Sequence, residues 1–379
     1  MIFALLASSR FQSLCGQGFI SLGTCEKSPA VLKTLRYPHS DMSEPVVSVL
    51  LPVRDAGPYL KECIASLERQ TLEEYEVVAV DDGSTDGSAN TLDEWAAGDD
   101  RVRVVHRSES GLVETLNVGL ELCTAPFVAR MDADDISHPK RFELQVAEFD
   151  ELPWVGVVSS LVRHFPWHGV GEGYRVYEEW LNSLLTPEQI SRERFVESPV
   201  PHPSAMVRRE VFESAGGYRD ENWAEDFDLW LRLFEAGVTF TKVEKYLYFW
   251  REHAERLTRV DSRYSVENFL RCKAKYLLSG PLAGRQCVVI WGAGQTGRRI
   301  SKFLLREGAP VEAFVDIDPE KIGSTLREKP IISFDELRAM MGPGTVVLAA
   351  VGSRGARDLI RGQLNNIGLR EGLNYWCVA

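Results

Sequence analysis

The sequence has no apolar run near the roughly 20 residues that a bilayer-crossing helix needs; its longest purely apolar stretches are strand-sized. A membrane-spanning helix is therefore not expected. The expected location is the cytoplasm, with peripheral attachment at the inner membrane face left open. Positive charge is also short: 43 Lys and Arg stand against 55 Asp and Glu, a formal net charge of -12. A nucleic acid held over a broad face needs clustered cations, so that class of partner is not expected. The seven cysteines (Cys15, Cys25, Cys63, Cys123, Cys272, Cys287 and Cys377) are odd in number and never spaced Cys-x-x-Cys. Reduced thiols fit that pattern better than a disulfide framework or a zinc site. No tandem repeat or low-complexity tract is present. The short apolar run Ile2–Ala7 has no basic residue before it and makes a poor secretory signal. Residues 1–43 are expected to be a disordered extension, with Met42 just ahead of the first convincing strand.

A chain of 379 residues exceeds the usual size of one domain. Val46–Val53 is a continuous apolar, β-branched run, as a strand buried on both faces requires. A helix over Pro58–Gln70 follows, with Leu60, Ile64 and Leu67 on one face. The pattern repeats: strand Tyr75–Val80, helix Gly87–Ala97, strand Val102–His106, helix Leu112–Leu122, strand Pro126–Met131. Alternation of this kind predicts an α/β fold with a parallel sheet and crossover helices. Arg163–Pro201 has weak periodicity and reads as loops and short helices over a site. A strand at Ser204–Val207, a helix at Ala224–Glu235, a strand at Val238–Trp250 and a helix at Ser262–Leu278 come next. After Gly284 a second βα pattern begins. The expected organisation is a first α/β domain over 44–258, a helical linker over 259–284 and a smaller Rossmann-like α/β domain over 285–379.

Ligands of parallel sheets collect beyond the carboxyl ends of the strands, and the acidic motifs fall there. Asp81-Asp82-Gly83-Ser84 follows the second strand, and Asp132-Ala133-Asp134-Asp135 follows the fourth. Loop carboxylates suit a hard divalent cation, and such a cation stabilises charge on a diphosphate leaving group. Taken alone, an Asp-x-Asp turn is common surface decoration; its place after a buried strand, facing a second acidic loop, favours a metal. Asp81 and Asp82 read equally as turn formers and as acceptors for a base or ribose. Glu225 and Asp226 open a helix, where carboxylates meet the helix dipole favourably. They also suit a general base tuned by its neighbours, and the residues alone leave both readings open. His202 and His253 each prove little singly. Gly292, Gly294 and Gly297 lie between a strand and a helix, with Asp316 about 20 residues on, the spacing of a dinucleotide turn. Bound nucleotide there remains an open expectation.

Together these motifs resemble the inverting glycosyltransferases of family 2, of GT-A fold, over about Val46 to Thr258. The resemblance rests on Val49-Leu50-Leu51-Pro52, Val80-Asp81-Asp82-Gly83-Ser84, Ala129-Arg130-Met131-Asp132-Ala133-Asp134-Asp135 and Glu225-Asp226. It implies that Pro52, Val53 and Asp55 line a base pocket and that Asp81 or Asp82 holds uracil and ribose. It implies Asp132 near the ribose, Asp134 on manganese or magnesium at the diphosphate, and Asp226, beside Glu225, as the base that deprotonates an acceptor hydroxyl. The donor would be a nucleotide sugar, UDP-linked, and the acceptor a saccharide, a lipid-linked molecule or another hydroxyl compound. Phe249-Trp250-Arg251-Glu252-His253 is similar to a family stretch, Tyr-Arg-x-His, that closes over the diphosphate. Trp250 departs from it, while Arg251 and His253 keep register and are expected at the diphosphate or metal. The Gln-x-x-Arg-Trp of processive members is absent, so one transfer per encounter is expected. Tyr177–Asn182 with Thr186–Gln189 resembles a β-1,3-N-acetylglucosaminyltransferase-like subgroup, whose label leaves the sugar open.

Three rivals compete with this reading. A sugar nucleotidyltransferase needs a Gly-rich basic loop after the first strand, where this chain has Pro52-Val53-Arg54-Asp55-Ala56-Gly57. An oxidoreductase run by the second domain needs a hydride-transfer residue, and none can be named. A catalytically dead binding module would keep donor binding without transfer. The second domain is expected to sense a nucleotide, to form a homo-oligomer or to brace the first.

Overall fold

The computed structural model describes residues 44–379, so the extension expected before them lies outside the described residues. The first sheet contains β1 (Val47–Val53), β2 (Tyr75–Asp81), β3 (Val102–His106), β4 (Phe127–Arg130), β5 (Ile136–Ser137), β6 (Val155–Phe165), β7 (Met206–Arg208) and β8 (Thr239–Arg251). Their order is β3-β2-β1-β4-β7-β6-β8-β5. As the βα alternation predicts, β1 pairs parallel with β2 and β4, and β2 with β3. Past β4 the sheet becomes mixed. Strand β7 runs antiparallel to β4 and β6, and β5 antiparallel to β8, while β6 and β8 are parallel.

Every residue of β1 is buried. Alternate side chains of β1 and β2 divide between two apolar layers: Val49, Leu51, Val77 and Ala79 enter one, and Leu50, Val78 and Val80 the other. A strand covered on both faces has no polar face to show, which is why the sequence reads as an unbroken apolar run. The helix Gly57–Glu68 starts with proline in its first turn and buries Leu60, Cys63, Ile64 and Leu67 in the first layer.

Arg163–Pro201 carries short helices and loops, as expected, but it begins in strand. Residues 163–165 extend β6, and the helices Glu172–Ser183 and Pro187–Glu193 follow. Burial of nearly all of Val155–Ser160 on both faces, serines included, erases the alternation that marks a half-exposed strand. Ser159 and Ser204 satisfy each other's hydroxyls at 2.6 Å. The second helix opens with a capping box between Thr186 and Gln189.

A second sheet contains β9 (Cys287–Trp291), β10 (Val311–Val315), β11 (Thr325–Leu326), β12 (Lys329–Ile332), β13 (Thr345–Ala349) and β14 (Tyr375–Cys377), ordered β11-β12-β10-β9-β13-β14. All its pairings are parallel except the β11–β12 hairpin. One face of it continues the core of the first region. Val288, Ile290, Val346 and Leu348 share a cluster with Phe227 and Leu231 of the helix Glu225–Glu235 and with Leu270 and Leu277 of the helix Val266–Ser279. Burying each such large side chain contributes about 1.5–3 kcal/mol, so the two sheets stabilise one another. The described cysteines Cys63, Cys123, Cys272, Cys287 and Cys377 are all free thiols.

Candidate active site

Because β1, β2 and β4 are parallel, the loops after them leave one edge of the sheet. Asp81 faces Val53 across the β1–β2 register. Its Oδ1 accepts from the Ser84 amide at 3.0 Å, and its Oδ2 lies 3.0 Å from His106 Nδ1. Asp82 Oδ1 accepts from the Ser110 amide and hydroxyl, and Oδ2 from the Gly111 amide at 2.9 Å. Both aspartates are buried and build the wall of the edge. Pro52 and Val53 are buried beside them, whereas Asp55 is exposed, with φ of 48° and its carboxylate accepting from Thr85 N at 2.7 Å. Arg54 closes the rim on Glu109 at 2.7 Å.

The Asp132–Asp135 loop gives each carboxylate a different surrounding. Asp135 is fully buried; its oxygens accept from the Tyr248 hydroxyl at 2.9 Å and the Arg251 amide at 2.6 Å. Burial, then the charge of Asp134, pushes its carboxyl well above the usual range. Asp132 is half-buried, on Arg130 at 2.5 Å. Asp134 Oδ2 lies 2.7 Å from His253 Nε2. Burial alone would raise the Asp134 carboxyl, but the His253 bond and the charge of Arg256 hold it below the usual range. Ligand atoms from Asp132, Asp134 and Asp135 lie within 4.8 Å of one another. Arg251 binds the loop from the other side: Nε donates to the Asp134 carbonyl at 2.6 Å, and a terminal nitrogen pairs with Glu62 at 2.7 Å. The stretch 249–253 therefore arrives at the acidic loop, and Tyr59 packs against both Arg251 and His253.

The third element is the helix Glu225–Glu235, which is buried along nearly its whole length. Glu225 is 2% exposed and receives the Tyr264 hydroxyl at 2.8 Å. Asp226 is half-buried at the first turn, and its Oδ1 accepts from the next amide, Phe227 N, at 2.7 Å. Burial, joined by the charge of Glu225, pushes the Asp226 carboxyl up to about 8. His202 precedes β7 at the same edge and lies 3.9 Å from Glu225. Its Nε2 meets the Tyr218 hydroxyl at 2.8 Å, and burial, reinforced by the charge of Arg130, holds the ring neutral. It packs the edge instead of binding at it.

Comparison with known proteins agrees with this geometry. Residues 48–216 match the model of the family described as Glycosyl transferase family 2. The chain is 31% identical over 238 residues to EpsE of Bacillus subtilis, a protein named as a glycosyltransferase, covering 60% of this chain and 80% of that one. The chain belongs to glycosyltransferase family 2. A second relative of this glycosyltransferase, at 28% identity, is the Escherichia coli protein named UDP-Gal:alpha-D-GlcNAc-diphosphoundecaprenol beta-1,3-galactosyltransferase; the match covers 61% of this chain and 82% of that one. Among solved structures, TarS 1–349 of S. aureus, solved in complex with UDP-GlcNAc, aligns with a TM-score of 0.50 at 18% identity over 69% of this chain and 72% of TarS. That likeness concerns the fold, which is GT-A.

In the same glycosyltransferase the second sheet carries the glycine turn. Gly292 has φ of 121°, and a Cβ there would come 2.8 Å from the Ala350 carbonyl; a Cβ on Gly297 would overlap the Gly292 carbonyl. These glycines therefore let strand, turn and helix close on one another, while Gly294 caps the helix Gln295–Arg306 with open space around it. Asp316 lies with its Oδ2 on the Ala293 amide at 3.1 Å and on Lys321 at 3.4 Å. The structure also adds residues to the first site that the sequence reading did not single out. Tyr248 bridges the Asp132 amide and Asp135, Arg130 holds Asp132, and Tyr264 holds Glu225. Arg130 stood inside the quoted motif; the tyrosines lie more than a hundred and about forty residues from their partners and carry no local signal.

Proposed function

We propose that this glycosyltransferase transfers a hexosyl or N-acetylhexosaminyl group from a UDP-sugar to an acceptor hydroxyl, with a divalent cation and with inversion, using Asp226 as the general base. The observation that supports it most is the Asp226 carboxyl, half-buried at the first turn of its helix and pushed up to about 8 by burial and Glu225. A base so tuned takes a hydroxyl proton far more readily than an ordinary carboxylate. The UDP assignment draws on the name of the E. coli relative.

The residues fit manganese or magnesium. Asp132 and Asp134 offer carboxylate oxygens at the right separation, and His253 Nδ1 is buried without a partner. Asp135 is not a free ligand, since its oxygens are taken by Tyr248 and Arg251. A cation held by Asp134, with Asp132 and His253 beside it, supplies neutralisation of charge on the diphosphate. The protein's own groups perform the rest. Asp226 accepts the proton of the acceptor hydroxyl; the oxygen bonds to the anomeric carbon from the face opposite the diphosphate, and the sugar–phosphate bond breaks. One displacement inverts the centre and needs no covalent intermediate. Arg251 and His253 line the diphosphate side, and Asp81, Asp82, Pro52, Val53 and Asp55 form the nucleoside side.

The same proposal assigns 44–258 to catalysis, 259–284 to the link and 285–379 to a smaller Rossmann-like α/β region packed on the core of the base helix. A nucleotide at Gly292–Gly297 would have to compete for Asp316 with Ala293 N and Lys321, so the turn is read as a packing device. No helix among the described residues is long and apolar enough to cross a membrane; the acceptor is a saccharide or a lipid-linked hydroxyl compound. Slow hydrolysis of nucleotide sugars in the presence of manganese identifies the donor. With that donor, Asp226→Asn should lower transfer roughly 100- to 10,000-fold while metal-dependent donor binding persists. Undiminished turnover in that variant removes Asp226 as the base.

A further inference from the structure

The two carboxylates that flank Asp226 on its helix are each held by a tyrosine from the chain that follows β8. The Tyr264 hydroxyl lies 2.8 and 3.0 Å from the two oxygens of Glu225. The Tyr276 hydroxyl donates to Asp228 Oδ1 at 2.6 Å, and Asp228, fully buried, also accepts from Trp223 Nε1 at 3.1 Å and Arg232 Nε at 2.8 Å. Tyr276 belongs to the helix Val266–Ser279, on which Phe269 stacks with Phe227 at 5.2 Å. Lys273 of that helix donates to the carbonyls of Val196 at 2.6 Å and Val378 at 3.4 Å. The base helix, the linking segment and the end of the second sheet are thus joined by buried polar bonds as well as by one apolar core.

We propose that Tyr264 is a positioning residue of the transfer reaction: its hydroxyl holds Glu225, and through Glu225 it fixes how the Asp226 carboxylate is presented to the acceptor. The inference rests on Asp226 being the base. It makes the segment between the two sheets part of the catalytic apparatus.

The surroundings define what the tyrosine controls. Glu225 faces Tyr264, Arg263, Arg130 and His202. Asp226 faces Glu225 and Glu197, with Tyr177, Tyr218, Tyr264 and Cys272 close enough to feel its charge. Burial raises Glu225, and the Tyr264 hydrogen bond opposes that rise by favouring the anion. The Glu225 charge in turn helps to raise Asp226. Two acids this close share protons. Without the Tyr264 hydroxyl, the shared proton moves toward Glu225, and Asp226 is ionised at lower pH.

The test uses the full chain with the donor found by hydrolysis screening. Tyr264→Phe should lower kcat on the high-pH plateau about tenfold, the scale of one hydrogen bond to a charged group, with donor KM within about twofold. Its acid limb should move to lower pH. Tyr276→Phe should lower the melting temperature and leave the acid limb in place. Glu225→Gln should move the limb in the same direction as Tyr264→Phe, and the double variant should add little to Glu225→Gln alone. An unmoved limb in Tyr264→Phe, or in Glu225→Gln where Tyr264→Phe does not fold, overturns the proposal. So does a loss of donor affinity that matches the loss of kcat. Turnover by Asp226→Asn sinks the base itself, whereas an inert Asp226→Asn with an unmoved limb in Tyr264→Phe sinks only the role of the tyrosine.

Discussion

Both sheets end parallel strands in aspartate, and they use it differently. After β2 and β10, Asp81 accepts from an amide of its own loop, Asp82 from amides of the loop after β3, and Asp316 from Asp318 in its own loop and Ala293 in the glycine turn, bonds that fix turns. After β4 and at the base helix, carboxylates crowd one another: Asp134 beside Asp135, Asp226 beside Glu225. Satisfied acids are walls. Crowded acids carry shifted affinities for protons and cations, which is what catalysis needs. The contrast predicts that substitutions at Asp134 and Asp226 change chemistry, and that a substitution at Asp316 changes folding.

The sharpest test after Asp226 itself is His253→Ala. His253 lies 2.7 Å from Asp134 and is held against Tyr59. Removing it frees Asp134 to rotate and takes away a second donor atom, so the manganese concentration for half-maximal transfer should rise about 10- to 100-fold, as it does when a supporting partner of a metal ligand is lost. A manganese titration of activity reads this directly. An unchanged midpoint places the metal elsewhere.

A smaller effect follows from pH. With the Asp226 carboxyl pushed up to about 8, the base is still protonated near pH 6, and transfer should rise about tenfold per unit before levelling above pH 8. The stability sign runs the other way. The fold binds this proton more tightly than the unfolded chain, so stability is lost as pH rises from the ordinary value of 3.8 through 8. Asp226→Asn removes that penalty. Its melting temperature relative to the parent should therefore climb across this window and match the parent's trend below it. A constant difference would mean that Asp226 has an ordinary carboxyl.

How much of this was legible depended on whether the signal was local. The strands β1 to β4 announced themselves because a sheet buried on both faces demands apolar runs between turn residues. The acidic loops were legible because parallel pairing puts strand ends on one edge. The long strand β6 was not legible: it carries buried serines, and Ser159 meets Ser204, a partner 45 residues away that no periodicity reports. The division of labour within Asp132–Asp135 was hidden as well, since Tyr248 and Arg251 make Asp135 a brace from the far end of the domain. The turn Gly292–Gly297 shows the reverse case: its spacing was plain, but the placement of Asp316 on Ala293 N was not.

That last residue gives the smallest effect and the cleanest contrast. Asp316 accepts from the amides of Ala293 and Asp318 and pairs with Lys321; Ala293 is fully buried in the core shared with the base helix. Asp316→Ala leaves a buried amide without an acceptor, which costs about 1–3 kcal/mol. If the second sheet serves the first by packing, denaturant unfolding should shift by that amount while transfer per folded molecule, donor KM and the acid limb stay where they are. If instead the glycine turn holds a nucleotide that matters to transfer, activity should fall at temperatures where the variant is still fully folded. The two outcomes separate a packing turn from a binding site.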